Sequence, residues 1–190
     1  MENQNIVSKM NYFLHESAAA IVTWLEGILP KAADTWWSDC VLSSLSYTQR
    51  EIANSKGFSK LSDFDLAALL RIANKSWHDM QTVTYLPYSE REIVREMMSV
   101  RNNWAHCSAD LPGKDVVLHD LRIISAFISQ VGGDRALCEE IEAFSEYIER
   151  PDSIKGPLIP AMQKNDAESG KKPNQNGEIK ENSLVYLAGN

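Results

Sequence analysis

Apolar residues in the first 150 positions recur mostly at spacings of three and four, as in helices that bury one face, and not in strand-like alternation. The stripe Ile6, Met10, Phe13, Leu14, Ala18, Ile21, Leu25 and Ile28 predicts a helix over 4–28 that Pro30 ends. A second helix is expected over 35–54, carrying Trp36, Trp37, Cys40, Val41, Leu45 and Ile52, with Lys56-Gly57 as its breaker. Ser62 is the expected N-cap of a third over 63–83, whose stripe is Leu66, Leu69, Leu70, Ala73, Trp77 and Met80. Pro87 separates it from a fourth over 89–107, where Ser89 and Glu92 have the spacing of a capping box. The turn SADLPG (108–113) stops that helix. A fifth follows over 114–131 with Val117, Leu118, Leu121, Ile124, Phe127 and Ile128, closed by Gly132-Gly133. A sixth over 134–149 holds Leu137, Ile141, Phe144 and Ile148 and stops before Pro151. The pattern predicts an all-α bundle of five or six helices over residues 1–150.

Beyond that point the pattern changes. Pro151, Pro157, Pro160 and Pro173 punctuate the last stretch, and residues 163–182 hold one isoleucine and no aromatic residue. Such a segment cannot bury enough apolar surface to offset its conformational entropy. Residues 151–190 therefore read as a polar, disordered linker or tail. Its final run, SLVYLAGN, turns apolar again, which suggests an N-terminal piece of a longer protein with further domains.

Composition narrows the function classes. The 190 residues carry 19 Lys+Arg and 26 Asp+Glu, a formal charge of −7. That balance disfavours broad coating of nucleic acid, which needs many Lys/Arg–phosphate contacts, but leaves room for a local site. No run reaches the ~20 uncharged apolar residues of a membrane span, and the N-terminus lacks a secretory signal. Cys40, Cys107 and Cys138 are widely spaced and odd in number, so neither a disulfide framework nor a zinc site is expected. A cytoplasmic chain without membrane attachment is the expectation.

The fourth predicted helix holds an anomaly in REMMSVRNNWAH (95–106). At about 100° per residue, Val94, Met97, Met98, Trp104 and Ala105 fall within roughly 60° of Arg101, with Val100 near the edge of the arc. Arg101 is thus expected amid an apolar stripe. A guanidinium cannot lose its charge there, so it needs a partner or an opening. An ion pair to an Asp or Glu at the core edge, or a side chain that snorkels out, satisfies that need as well as a functional site does. His106 lies about 140° round the helix from Arg101 and about 7.5 Å along it, so one straight helix would not bring the two together. They meet only if the helix frays at the following turn or if a second copy packs across the stripe. A histidine at a helix C-terminus also complements the helix dipole with no further role. Trp104 reads as core.

The remaining histidines carry less. His15 and His78 sit on polar or mixed faces, and His119 lies beside Asp120. The chain contains no HExxH, no Gly-rich phosphate loop and no GxSxG. Metal catalysis, P-loop hydrolysis and thiol catalysis are disfavoured, and neither a cofactor nor a metal is expected.

Arg101, the polar Asn102 directly after it, and His106 five positions on resemble the signature of the HEPN superfamily. The likeness extends through DLAALLRIANKSWHDM (65–80), YSEREIVREMMSVRNNWAH (88–106) and a helix beginning near Asp115. It is to the branch found at the N-termini of large bacterial ATPases, helicases and defence-island proteins, and in a eukaryotic RNA-quality-control endonuclease. The resemblance implies a helical RNA-binding and dimerising module of a prokaryotic antiviral defence protein. Its catalytic form would be a metal-independent endoribonuclease leaving 2′,3′-cyclic phosphate ends, with Arg101, Asn102 and His106 as the catalytic residues. In that chemistry His106 is general base or acid, Arg101 binds phosphate, and Asn102 orients either. The implied partners are single-stranded RNA and a second copy docking through the helix 89–107. The alternatives are a noncatalytic module that docks or regulates a downstream ATPase or helicase, and a toxin of a toxin–antitoxin pair, masked by its antitoxin.

Overall fold

The computed structural model describes residues 2–107 and 111–150. Among them are seven α-helices: α1 (Glu2–Ala32), α2 (Tyr47–Lys56), α3 (Leu66–Lys75), α4 (Trp77–Gln81), α5 (Tyr88–Ala105), α6 (Lys114–Gln130) and α7 (Arg135–Glu149). No strand occurs among the described residues, so the domain they form is all-α as its periodicity predicts. The expected tail over 151–190 and part of the SADLPG turn lie outside the described residues. Among the described residues no helix is long and apolar enough to cross a membrane.

α1 runs for 31 residues, about 46 Å at 1.5 Å per residue, and serves as the spine of the bundle. Met10, Phe13, Ile21, Leu25 and Leu29 are fully buried along it, and it packs against α3, α4, α5 and α6. Pro30 lies inside this helix, not beyond it. A proline so near the end removes one hydrogen bond, and the helix stops two residues later. α5 lies between α3 and α6, and α7 covers α6. Trp77, Phe13 and Phe127 are among the largest fully buried side chains of the single core.

Two expected helices are broken. The segment expected as one helix over 35–54 is a π-helical turn (Trp37–Val41), a 3-10 turn (Leu42–Ser44) and then α2. Ser46 starts α2 with a capping box: its hydroxyl accepts from the Gln49 N–H, and the Gln49 side chain accepts from the Ser46 N–H. The segment expected as a helix over 63–83 breaks at Ser76 into α3 and α4. The buried Ser76 hydroxyl donates to the Cys40 carbonyl at 2.9 Å and lies 3.2 Å from the Ser44 hydroxyl. A buried carbonyl in the irregular π turn gains a donor there, which offsets the break.

Two capping expectations are also corrected, and a third holds. α3 begins at Leu66 under Asp65, not under Ser62. α5 begins at Tyr88 with Pro87 as its N-cap and no side-chain cap, so Ser89 falls inside the first turn. Glu92 pairs with Arg95 at 2.6 Å. Gly132-Gly133 does close α6: Gly132 takes the left-handed conformation at φ 69° and the Gly133 N–H reaches the Ile128 carbonyl at 2.8 Å.

Candidate functional site

α5 presents one tight apolar face, with Val94, Met97, Val100 and Trp104 buried. Met98 is half-buried and Ala105 exposed, so the buried stripe is centred to one side of Arg101. The arginine stands at the rim of the stripe, not in its middle. Its side chain keeps 28% of its surface exposed.

The guanidinium has a partner in its own chain. Nη2 donates to Asp65 Oδ2 at 3.0 Å, and Nη1 donates to Asn102 Oδ1 at 3.3 Å. The other Asp65 oxygen, Oδ1, accepts from the Ala68 N–H at 2.9 Å and caps α3. One carboxylate therefore closes the start of α3 and holds the arginine of α5. The Asp65 side chain is 61% exposed, and ion pairs this open to water contribute about 0–1 kcal/mol. The ion pair removes the need for a second copy to explain an arginine beside apolar neighbours.

Arg101 opens onto a cleft of about 620 Å³ between α1, the start of α3 and α5. Leu14, Ala18, Val22, Phe64 and Leu69 are among its apolar lining, and Asn11, His15, Ser62, Asp65 and Arg101 are its polar groups. His106 is not among the lining residues. It caps the end of α5, outside the helix and exposed, and its N–H bonds to the Asn103 carbonyl at 3.3 Å. Asn102 and Asn103 also face solvent. The structure thus brings Arg101 together with Asn102, while His106 stands at the accessible helix end.

The residue between them anchors the helix. Trp104 is buried, as expected, and its indole N–H donates to Asp120 Oδ2 at 2.7 Å. Asp120 sits in the wall of α6 and is 3% exposed. Burial pushes its carboxyl above the usual range, against the opposing pull of the Trp104 hydrogen bond and the nearby His119 charge. This contact pins the last turn of α5 to α6, just before the chain delivers His106.

A family model described as Swt1-like HEPN matches residues 14–132. The chain belongs to the Swt1-like HEPN family. The matched span includes most of α1, all of α5 with Arg101, Asn102 and His106, and all of α6, while α7 lies beyond it. No curated protein and no solved structure matches the chain.

Asp65 and His15 are among the polar residues of the HEPN domain's cleft that escaped the sequence reading. Asp65 was overshadowed by Ser62, another residue type that caps helices. His15 read as a histidine on a mixed face, yet Asn11, His15, Ala18, Ala19 and Val22 follow the three- and four-residue spacing of one helical face. That small-residue face flanks the buried stripe and leaves the cleft open. His78 and His119 are exposed elsewhere. Among the described residues no three His, Cys, Asp or Glu side chains converge where a metal ion could be held.

Proposed function

We propose that this HEPN domain is an RNA-binding module of a prokaryotic defence protein. In this reading it contacts the phosphodiester through Arg101 and cleaves single-stranded RNA without a metal. The observation that carries the reading is the motif inside the family match. Arg101 keeps an open side, and Asn102 and His106 face solvent, so all three can be reached by a large substrate.

The chemistry follows from the groups present. A ribose 2′-oxygen attacks the adjacent phosphorus, the O2′–P bond forms and the P–O5′ bond breaks. His106 takes the 2′-hydroxyl proton as general base, and a proton is returned to the leaving 5′-oxygen. Arg101 offsets the charge that builds on the phosphoryl oxygens. Asn102, hydrogen-bonded to the guanidinium, orients it. The 2′-hydroxyl requirement makes RNA, not DNA, the substrate. Two copies docking along α5 would bring two motifs to one groove and supply a second imidazole for the leaving group. A partner ATPase or helicase, or an antitoxin that masks the groove, would then govern access.

The test is incubation of the chain with end-labelled single-stranded RNA in the presence of EDTA. Cleavage to 2′,3′-cyclic phosphate ends is expected, falling by at least about a hundredfold in His106→Ala and Arg101→Ala, as for loss of a general base or a charge-stabilising group. Undiminished cutting by His106→Ala removes the catalytic assignment.

A second reading is a noncatalytic docking module. The Arg101–Asp65 pair favours it, because the cation is already compensated. So does the net charge of −7. RNA binding without cleavage, or no RNA binding at all, would support it.

A further inference from the structure

Once Asp65 has compensated Arg101, His15 is the remaining side chain of the cleft that can carry positive charge. It projects from the middle of α1, far in sequence from the motif on α5. It lines the same cavity as Arg101, and His106 does not. The volume of about 620 Å³ falls within the ~300–1,000 Å³ range of small-molecule sites. The lining is mostly apolar with a few polar groups, a mixture that suits a flat base and an attached anion. Asn11, one helical turn before His15, adds an amide that can both donate and accept.

We propose that this intrachain cleft seats one nucleotide of single-stranded RNA, with His15 and Arg101 holding its phosphate and Asp65 as the anion that the phosphate displaces. The proposal rests on the reading of Arg101 as a phosphate contact. It adds a residue of α1 to the binding machinery and makes Asp65 a competitor for it.

The energetics of exchange are favourable. The Asp65 carboxylate is mostly exposed and returns to water at little cost. Its Oδ1 keeps the Ala68 N–H, so α3 stays capped when Oδ2 releases the arginine. A phosphate offers the fork of Arg101 two oxygens at once, a stronger arrangement than the single contact it replaces. The apolar lining takes the base without matching its edge, so the site accepts different bases.

The test uses the full chain and a fluorescent 2′-O-methylated hexauridylate, which cannot be cleaved, with affinity read by anisotropy and oligomeric state by sedimentation. His15→Ala weakens binding about tenfold, the loss of one charge-assisted contact. Asp65→Asn retains a capping oxygen and removes the competing charge, so it tightens binding by about threefold or more. His78→Ala, on an exposed face of α4, leaves affinity unchanged. In proton spectra of the histidine rings, the oligonucleotide shifts the His15 signals and not those of His78. Wild-type affinity in His15→Ala, with loss in Arg101→Ala, overturns the cleft assignment and leaves the RNA reading standing. Weaker binding by Asp65→Asn overturns the displacement, because Asp65 would then position the arginine. A change in dimerisation without a change in affinity for His15→Ala identifies a second copy as the occupant and also overturns it. No binding by the wild-type chain defeats both readings at once.

Discussion

Asp120 holds its carboxylate at 3% exposure with the Trp104 indole N–H at 2.7 Å. Replacing Trp104 with Phe keeps most of the apolar volume but strands that carboxylate. A loss of about 2–3 kcal/mol is expected in urea denaturation, the cost of a buried acceptor left unsatisfied. The same residue gives the fold a pH signature. Burial raises the Asp120 pKa in the folded chain only. Between the ordinary carboxylate value and the raised folded value, the folded chain keeps a proton that the unfolded chain has released. Stability from this source is therefore present at low pH and lost as pH rises through the folded value. Asp120→Asn cannot titrate, so its stability relative to the native chain should improve as pH rises from about 4 towards 7. A constant difference across that range would show that Asp120 titrates normally. At this scale the sequence told only half the story. Trp104 was legible as core from its place on the stripe, but its partner lies sixteen residues away on another helix.

Helices were legible where one face alternates regularly, and illegible where a distant polar group decides the break. α1, α5, α6 and α7 lie close to their expected spans because each carries a sustained stripe of buried residues. The 35–54 and 63–83 segments failed together, since the Ser76 hydroxyl of one satisfies the Cys40 carbonyl of the other. Periodicity within either segment contains no trace of that bond. The Gly132-Gly133 stop was legible, but not the reason that both glycines are needed. Gly132 supplies the left-handed turn. At Gly133 an added Cβ would meet Ile128 Cγ2 at 2.7 Å, the Ile128 carbonyl at 3.1 Å and Ala20 Cβ at 3.3 Å. Gly133→Ala must therefore displace Ile128 in the last turn of α6 and crowd Ala20 of α1, and a loss of about 1–3 kcal/mol is expected from overpacking. Gly132→Ala, with open space around it, should lose only about 1 kcal/mol through its positive φ. Thermal melts of the two variants check the order, and equal losses would mean that the packing around Gly133 yields without strain.

Across the whole molecule, the arginine motif was visible in sequence because it lies on one helix, whereas the cleft was not, because α1, α3 and α5 must first be packed together. The same assembly limits how the domain can meet RNA. With 19 cationic residues against 26 acidic ones, the chain as a whole repels a polyanion. On the proposed reading, binding must then depend on a local site, Arg101 with at most one imidazole beside it. For single-stranded RNA, each neutralised phosphate contributes about −0.7 to the slope of log K against log salt. One or two phosphates therefore give a slope between about −0.7 and −1.4, and salt screening of the long-range repulsion flattens it further. Anisotropy titrations from low to physiological salt should show this shallow dependence. A slope steeper than about −3 would require four or more phosphate contacts, hence a cationic surface outside the cleft. The shallow slope also carries a kinetic consequence. Without electrostatic steering, association should fall in the ordinary range of about 10⁵–10⁷ M⁻¹s⁻¹ for oriented docking, so the lifetime of the complex, not its rate of formation, sets the affinity.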